Sequence, residues 1–272
     1  MLAMDYFSWE VRLKLITAGF VFYLGLFVAS HWVSCHFFAT YRSLSAKEKV
    51  FWSLASTRAV FGIQSIMAGL WALIDPALNA DRILGQQDWS WFNMLIVCGF
   101  FLFENLALHV SNVVFWTCDL ILAIHHFFAF IGCFGALVYS TIGHYMPIVT
   151  MMLELSTPFT CISWMLLKAG WSHSFFWKAN QWIMIHMFHC RMVLTYHLWW
   201  VCAWNWDHLV NSFPLPYLIF IFFGLILLTL IMNPYWTYKK TQQLLNPVDW
   251  NFQATVKNDL SGKDGSLKEK SR

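Results

Sequence analysis

Residues 91–139 read WFNMLIVCGFFLFENLALHVSNVVFWTCDLILAIHHFFAFIGCFGALVY, and this stretch decides the fold. It contains two apolar runs, 91–113 and 117–139, and each is long enough to cross a bilayer as a helix of about 20 residues. Only a short turn around Trp116 separates them. The two runs are therefore predicted to form an antiparallel pair of membrane helices.

The composition extends this prediction to the whole chain. The sequence is 59% hydrophobic and only 11% charged, whereas a soluble domain has about a quarter of charged residues. Apolar runs of suitable length lie near 15–38, 57–75, 91–113, 117–139, 145–167, 183–203 and 214–234. The predicted fold is an all-α polytopic membrane protein with about seven transmembrane helices. The net charge of +3 is too small to predict a nucleic-acid partner.

The loops between the predicted helices alternate in charge. Loops 39–56 and 168–182 are basic, whereas 75–90 and 204–213 are acidic. Because positive loops stay in the cytosol, this pattern predicts a lumenal N-terminus and a cytosolic C-terminus. The chain then divides into a short lumenal N-terminus (1–14), a first transmembrane helix with its cytosolic loop (15–56), a helical core (57–236) and a cytosolic tail (237–272).

The last five residues, Lys-Glu-Lys-Ser-Arg, have the spacing of a dilysine signal. Lys268 and Lys270 lie five and three positions from the C-terminus. Coat machinery reads such a signal on a cytosolic tail and returns the protein from the Golgi to the endoplasmic reticulum (ER). The tail predicts an ER membrane protein that cycles through the ER–Golgi intermediate compartment.

Polar and ionisable residues recur along single faces of the predicted helices, where they are costly and mark a function or a polar partner. They are Asn105, His109 and Asn112 on the third helix; Asp119, His125 and His126 on the fourth; Thr150, Glu154, Thr157 and Cys161 on the fifth; and His186, His189 and His197 on the sixth, where Arg191 points to another side. A helix that is polar on two sides is expected deep in the bundle. Together these stripes predict a polar cavity surrounded by apolar helices.

Three kinds of chemistry fit such a cavity. In acyl transfer, His125 or His126 acts as nucleophile or general base and Asp119 or Glu154 orients it. The predicted substrate-binding residues are Asn105, His109, Thr157, His186, His189 and Arg191. Membrane di-iron chemistry needs several His clusters, and no metal site is predicted because the chain has one adjacent His pair and one His-x-x-His. Proton-coupled transport would use the same residues as a relay, although no inverted repeat is evident.

Three segments resemble the TLC-domain family, which includes ceramide synthases and translocon-associated membrane proteins. They are residues 119–126 (DLILAIHH), 154–159 (ELSTPF) and the run 233–252. The resemblance implies a TLC-type helical barrel around a chamber that holds a lipid chain. In ceramide synthases, a His pair in this chamber serves acyl transfer from acyl-coenzyme A (acyl-CoA), and His125 and His126 fall on that pair.

The chain departs from the ceramide synthase pattern at two places. Ala129 stands where the pattern has Thr, and the Glu154 motif replaces a His-Asp followed by another Asp. Acylation of a sphingoid amine is therefore not expected. The expected reaction is acyl transfer from acyl-CoA, with no bound cofactor, to another polar lipid or lysolipid, such as one of glycerophosphoglycerol type.

A second function hypothesis belongs to a different class. The resemblance also implies the movement of newly made lysosomal hydrolases from the ER to the Golgi. A dilysine tail that binds coat machinery suits such a carrier, and the chamber would then sense membrane lipids. A lipid-sensing scaffold without catalytic activity remains a third alternative.

Overall fold

The computed structural model describes residues 4–117, 120–249 and 252, and the secondary structure of these residues is entirely helical. The α-helices are α1 (Trp9–Phe37), α2 (Ala39–Ser43), α3 (Ala46–Ile74), α4 (Pro76–Ala80), α5 (Asp88–Val114), α6 (Leu120–Val138), α7 (Tyr145–Met151), α8 (Thr157–Lys168), α9 (Phe175–Trp204), α10 (Trp206–Ser212), α11 (Leu215–Leu227) and α12 (Asn233–Leu245). The predicted all-α class is confirmed.

Six helical stretches within the described residues are long and apolar enough to cross a membrane. They are Trp9–Phe37, Ala46–Ile74, Asp88–Val114, Leu120–Val138, Tyr145–Lys168 and Leu215–Leu245. The remaining predicted span, 183–203, lies within α9, which has 30 residues and packs against α7, α8 and α12. Because α9 carries several His residues and Arg191, it is less apolar than the other six. The predicted number of about seven is close to this result.

Two helices extend beyond the apolar runs that predicted them. The span predicted at 57–75 begins at Ala46, where Ser45 and Glu48 form a reciprocal capping box. The final helix continues to Leu245, so residues 237–245, which the sequence assigns to the tail, are helical. Hydropathy marks only the lipid-facing length of a helix. In both extensions polar side chains face the bundle, so a search for apolar runs does not include these residues in the predicted span.

Two of the spans change helix type near their middle. A 3-10 turn, Met152–Ser156, connects α7 to α8 and is followed by Pro158. A π-turn, Leu228–Met232, connects α11 to α12 and is followed by Pro234. Proline has no N–H to donate and its ring crowds the carbonyl four residues earlier, so it favours such irregular turns.

Glycines bring α1 and α5 into backbone contact. A Cβ added to Gly19 would lie 2.5 Å from the carbonyl oxygen of Ile96, and one added to Gly99 would lie 2.3 Å from that of Ile16. The contact is possible only because neither residue has a side chain, and it resembles the small-residue packing of membrane helices in general.

The two ends of the bundle differ in charge. At the end that we name the basic end, Lys168 joins α8 to α3 and to the chain after α12: its Nζ lies 2.5 Å from Oε1 of Glu48 and 2.6 Å from Oδ2 of Asp249. At the opposite end, the acidic end, the N–H groups of Gly143 and His144 donate to the carbonyls of Ile83 and Gly85 at 2.8 and 2.9 Å. The predicted basic and acidic loops therefore lie at opposite ends of the bundle.

Two side chains at the acidic end have shifted pKa values. Asp75 caps α4, and the N–H of Leu78 lowers the pKa of its carboxyl group. Burial and, to a smaller extent, the charge of Arg12 lower the pKa of His144 to about 3. The His144 imidazole is therefore neutral at neutral pH where its Nδ1 meets the Ser90 hydroxyl at 2.7 Å.

Replacing Gly19 by Ala tests the close contact of α1 and α5. The added methyl group meets backbone atoms that cannot rotate away, so we expect a loss of roughly 1–3 kcal/mol of stability. The matched control is Gly25→Ala on the same helix, because a Cβ there meets nothing within 4 Å. Thermal unfolding in detergent, followed by tryptophan fluorescence, should separate the two variants. Equal midpoints would contradict the contact.

Candidate active site

A chamber inside the bundle has two parts that share His125 and Glu154. One part, which we name the apolar tunnel, lies between α6, α7 and α11 and has a volume of about 170 Å³. The other part, which we name the basic basin, lies between α3, α6, α8, α9 and α12 and has a volume of about 250 Å³. The wall of the tunnel is almost entirely apolar, whereas Arg58, Arg191, Lys239 and Lys240 line the basin together with Glu154.

His125 and Glu154 form the pair at the junction of the two parts. Nε2 of His125, on α6, lies 3.5 Å from Oε1 of Glu154, which belongs to the 3-10 turn. The other carboxylate oxygen accepts a hydrogen bond of 2.5 Å from the Thr157 hydroxyl. Trp236 meets the His125 ring edge to face with a centroid distance of 5.2 Å. The carboxylate and the indole therefore fix the orientation of this imidazole.

His126 points to a second group of polar residues behind the first. Its Nε2 lies 3.7 Å from Oε1 of Glu104, and the same oxygen accepts hydrogen bonds from the Arg58 guanidinium. Asn105 donates to the carbonyl of His126 at 3.0 Å. Glu104 is fully buried. This ion pair links α3 to α5 and places both beside α6.

Arg191 is a buried cation that faces the basin. It is 3% exposed, and one of its terminal nitrogens donates to the Ser156 hydroxyl at 2.9 Å. Its Nε and other terminal nitrogen have no hydrogen-bond partner among the described residues. The rings of Phe188 and Trp236 lie 5.0 and 5.2 Å from its guanidinium carbon and hold the group in place. An anionic ligand in the basin would satisfy the remaining donors.

The structure brings together six of the residues predicted from sequence. His125, Glu154, Thr157, His126 and Arg191 line the basin, and Asn105 supports His126 from behind. The positions of Asp119, Lys268 and Lys270 lie outside the described residues.

Three predicted substrate-binding residues do not reach the chamber. His109, His186 and His189 are exposed on the outside of the bundle. The expectation that both polar faces of α9 are buried is wrong, because only the face with Arg191 is turned inward. His186 lies five residues earlier, and at about 100° per residue its side chain points roughly 140° away from that of Arg191, to the outside of the bundle. His186 instead contacts the carbonyl of Trp182 on its own helix at 2.8 Å through Nδ1.

Sequence reasoning missed Arg58, Trp236, Lys239 and Lys240. The span predicted at 57–75 has Arg58 at its very end, whereas α3 begins at Ala46 and Arg58 lies about three turns inside it. The Ser45-x-x-Glu48 capping box was the signal that could have located this start. The other three residues belong to α12, beyond or at the edge of the last apolar run.

The chain belongs to the TLC-domain family, because the TLC domain of that family matches residues 50–241. The family is one of polytopic membrane proteins connected with lipids, and the resemblance found in the sequence is confirmed. The chain is 63% identical to Protein CLN8 of Homo sapiens over 269 residues, covering 98% of this chain and 94% of the human protein. It is 66% identical to Protein CLN8 of Canis lupus familiaris over 250 residues, covering 92% and 87%.

The similarity to a relative of another name is weaker. TLC domain-containing protein 4-B of Xenopus laevis is 25% identical over 163 residues, which are 58% of this chain and 59% of that protein. No solved structure matches the chain.

Replacing Glu104 by Gln tests the ion pair behind His126. The substitution leaves the Arg58 guanidinium without its counter-ion, and breaking such a buried pair costs about 3–5 kcal/mol. The double variant Arg58→Met, Glu104→Met removes both charges and should recover most of the loss. The midpoint of thermal unfolding in detergent measures both effects.

The control for this experiment is Glu10→Gln. Glu10 and Lys14 form an ion pair with side chains that are 74% and 72% exposed, so its loss should leave the midpoint unchanged. A double variant that is no more stable than Glu104→Gln would contradict the role assigned to the Arg58–Glu104 pair.

Proposed function

We propose that this protein is an ER-membrane acyltransferase that moves an acyl chain from acyl-CoA to a polar lipid or lysolipid, of which a glycerophosphoglycerol is an example. One observation carries the proposal. A histidine oriented by a carboxylate lies where an apolar tunnel meets a basic basin. An acyl-CoA has the matching order of parts: an apolar chain, a reactive thioester and a phosphate-rich carrier.

The polarity of the chamber supports a defined placement of the donor. The acyl chain occupies the tunnel, and the thioester lies near His125. Lys239 and Lys240 lie on α12 near the basic end and face the phosphates of the coenzyme. The basic end is the cytosolic side according to the positive-inside rule, and the cytosol is where acyl-CoA is made available.

In the proposed reaction, His125 acts as general base. Glu154 stabilises the tautomer that carries the proton on Nε2, so Nδ1 has the free lone pair. Nδ1 takes the proton from the acceptor hydroxyl as its oxygen attacks the thioester carbon. When the carbon–sulfur bond breaks, the imidazolium returns that proton to the thiolate and the products are the ester and free coenzyme A.

His126 is given a positioning role in this mechanism. It lines the basin only, whereas His125 lines both parts of the chamber. Its contacts with Glu104 and Asn105 fix the register of α6, and with it the position of His125. Asp119 remains a predicted orienting residue.

Replacing His125 by Ala, or Glu154 by Gln, should lower acyl transfer by about 10²–10⁴-fold, because general-base catalysis contributes that much. The measurement is transfer of a labelled acyl group from acyl-CoA to lysolipids by the purified protein. His186→Ala is the matched control, since this histidine lies outside the chamber, and it should retain full activity. Unchanged transfer in both His125→Ala and His126→Ala would refute the proposal.

A second candidate function rests on the tail. We propose, as the alternative, that the protein accompanies newly made lysosomal hydrolases out of the ER and returns by binding coat machinery through Lys268 and Lys270. The chamber would then bind a membrane lipid as a sensor. The two functions are compatible, because a carrier with bound lipid can also turn it over.

Replacing Lys268 and Lys270 together by Ala should move the protein from the ER towards the Golgi, as seen by fluorescence microscopy of the full chain. The matched control replaces Lys257 and Lys263 by Ala, which changes the charge of the tail equally but leaves the signal intact. ER localisation that is the same in both variants would remove the support for retrieval.

A further inference from the structure

A tyrosine lines the part of the apolar tunnel that lies towards the acidic end. There the lining includes Ile142, Phe213 and Tyr217, whereas His125 lines the part next to the basin. Tyr217 lies in the first turn of α11 and is only 7% exposed. Its hydroxyl donates to the carbonyl of Gly132 on α6 at 3.0 Å. The phenol ring therefore crosses the space between α11 and α6.

The position of this ring depends on a glycine opposite to it. A Cβ added to Gly135 would lie 2.7 Å from Cε2 of Tyr217. Gly135 thus leaves the recess into which the ring fits. The rings of Phe213 and Tyr139 contact it at tilted angles, with centroid distances of 5.9 and 5.8 Å. The hydrogen bond of the hydroxyl and these two ring contacts hold the phenol ring in place in the wall of the tunnel.

The depth of the tunnel follows from the register of α6. Gly132, which anchors the Tyr217 hydroxyl, follows His125 by seven residues, and at 1.5 Å per residue this is roughly 10 Å along the helix. A chain whose carboxyl carbon lies at His125 reaches the ring after that distance. Its remaining carbons must bend or leave the tunnel.

We infer that Tyr217 is the floor of the tunnel and limits the length of the acyl chain that the protein accepts. The inference rests on the proposed function, because it requires an acyl chain in the tunnel. Beyond that function, it names the residue that determines which chain lengths fit. Tyr217 does not touch the reacting atoms, and its effect is on specificity.

Gly224, on the same helix as Tyr217, is a position where a substitution should have the opposite effect on chain length. It lines the tunnel, and a Cβ built there meets nothing within 4 Å. A larger side chain at this position would take up space in the tunnel between the floor and His125, and its Cβ would meet no neighbour. Substitutions at Tyr217 and Gly224 should therefore shift the chain-length preference in opposite directions.

The experiment uses the purified full-length protein in detergent, incubated with an equimolar series of non-hydrolysable saturated acyl-CoA thioethers of increasing length. Native mass spectrometry gives the profile of bound chain lengths. Tyr217→Ala should move this profile to longer chains by roughly four carbons, since the lost ring is roughly 5 Å long and an extended chain advances roughly 1.3 Å per carbon. Gly224→Leu should move it to shorter chains, and Tyr217→Phe, which keeps the ring but loses the hydrogen bond to Gly132, should shift it less than Tyr217→Ala does.

A Tyr217→Ala profile equal to the wild-type profile would overturn the inference. If Tyr217→Ala does not fold, a profile of Gly224→Leu equal to that of the wild type overturns it alone, and a shift to shorter chains supports it. Acyl transfer is measured in parallel on the same preparations. A shifted binding profile without any transfer would refute the proposed reaction and leave Tyr217 as the floor of a lipid-binding tunnel.

Discussion

The ion pair of Arg58 with Glu104 is the constraint on which the arrangement of the chamber depends. Glu104 is fully buried, so its charge cannot be stabilised by water and must be stabilised within the bundle. Arg58 on α3 supplies the opposite charge, and His126 on α6 lies 3.7 Å from the same carboxylate oxygen. The helices α3, α5 and α6 are thereby held together, and His125, the residue before His126, faces the chamber.

The breaks in two spans make this chamber possible. Regular helices packed side by side would leave little space, but the 3-10 turn Met152–Ser156 and the π-turn Leu228–Met232 both contribute to the tunnel wall, through Leu153, Glu154, Leu228 and Met232. Irregular backbone at membrane depth is tolerated where it faces protein or a cavity. The prolines that follow the two turns thus affect the geometry of the candidate site, because one of the turns contains Glu154 itself.

The sequence was sufficient to predict the parts of the fold and site that depend on local pattern. Apolar runs located the spans, and the costly polar residues identified His125, His126, Glu154 and Arg191 as one site. The sequence could not predict how each helix is rotated about its axis, and therefore which of its faces is turned towards the chamber. His186 and Arg191 are both polar residues on α9, and only packing decides that the arginine faces inward. The start of α3 was predicted too late for a related reason. A hydropathy search does not detect the part of a helix whose polar residues are buried in the bundle.

The energetic cost of the chamber bears on which function it serves. Arg58, Glu104, Glu154 and Arg191 lie within the bundle, where each ionised group loses several kcal/mol of hydration that only well-placed partners restore. Two nitrogens of Arg191 and both ring nitrogens of His126 have no hydrogen-bond partner among the described residues. Apolar residues of similar volume would hold the same helices together at lower cost. A chamber that served only to pack helices or to enclose a lipid tail does not need these charges, whereas an acyl transfer centre needs a base, a carboxylate to orient it and a cation for an anionic substrate.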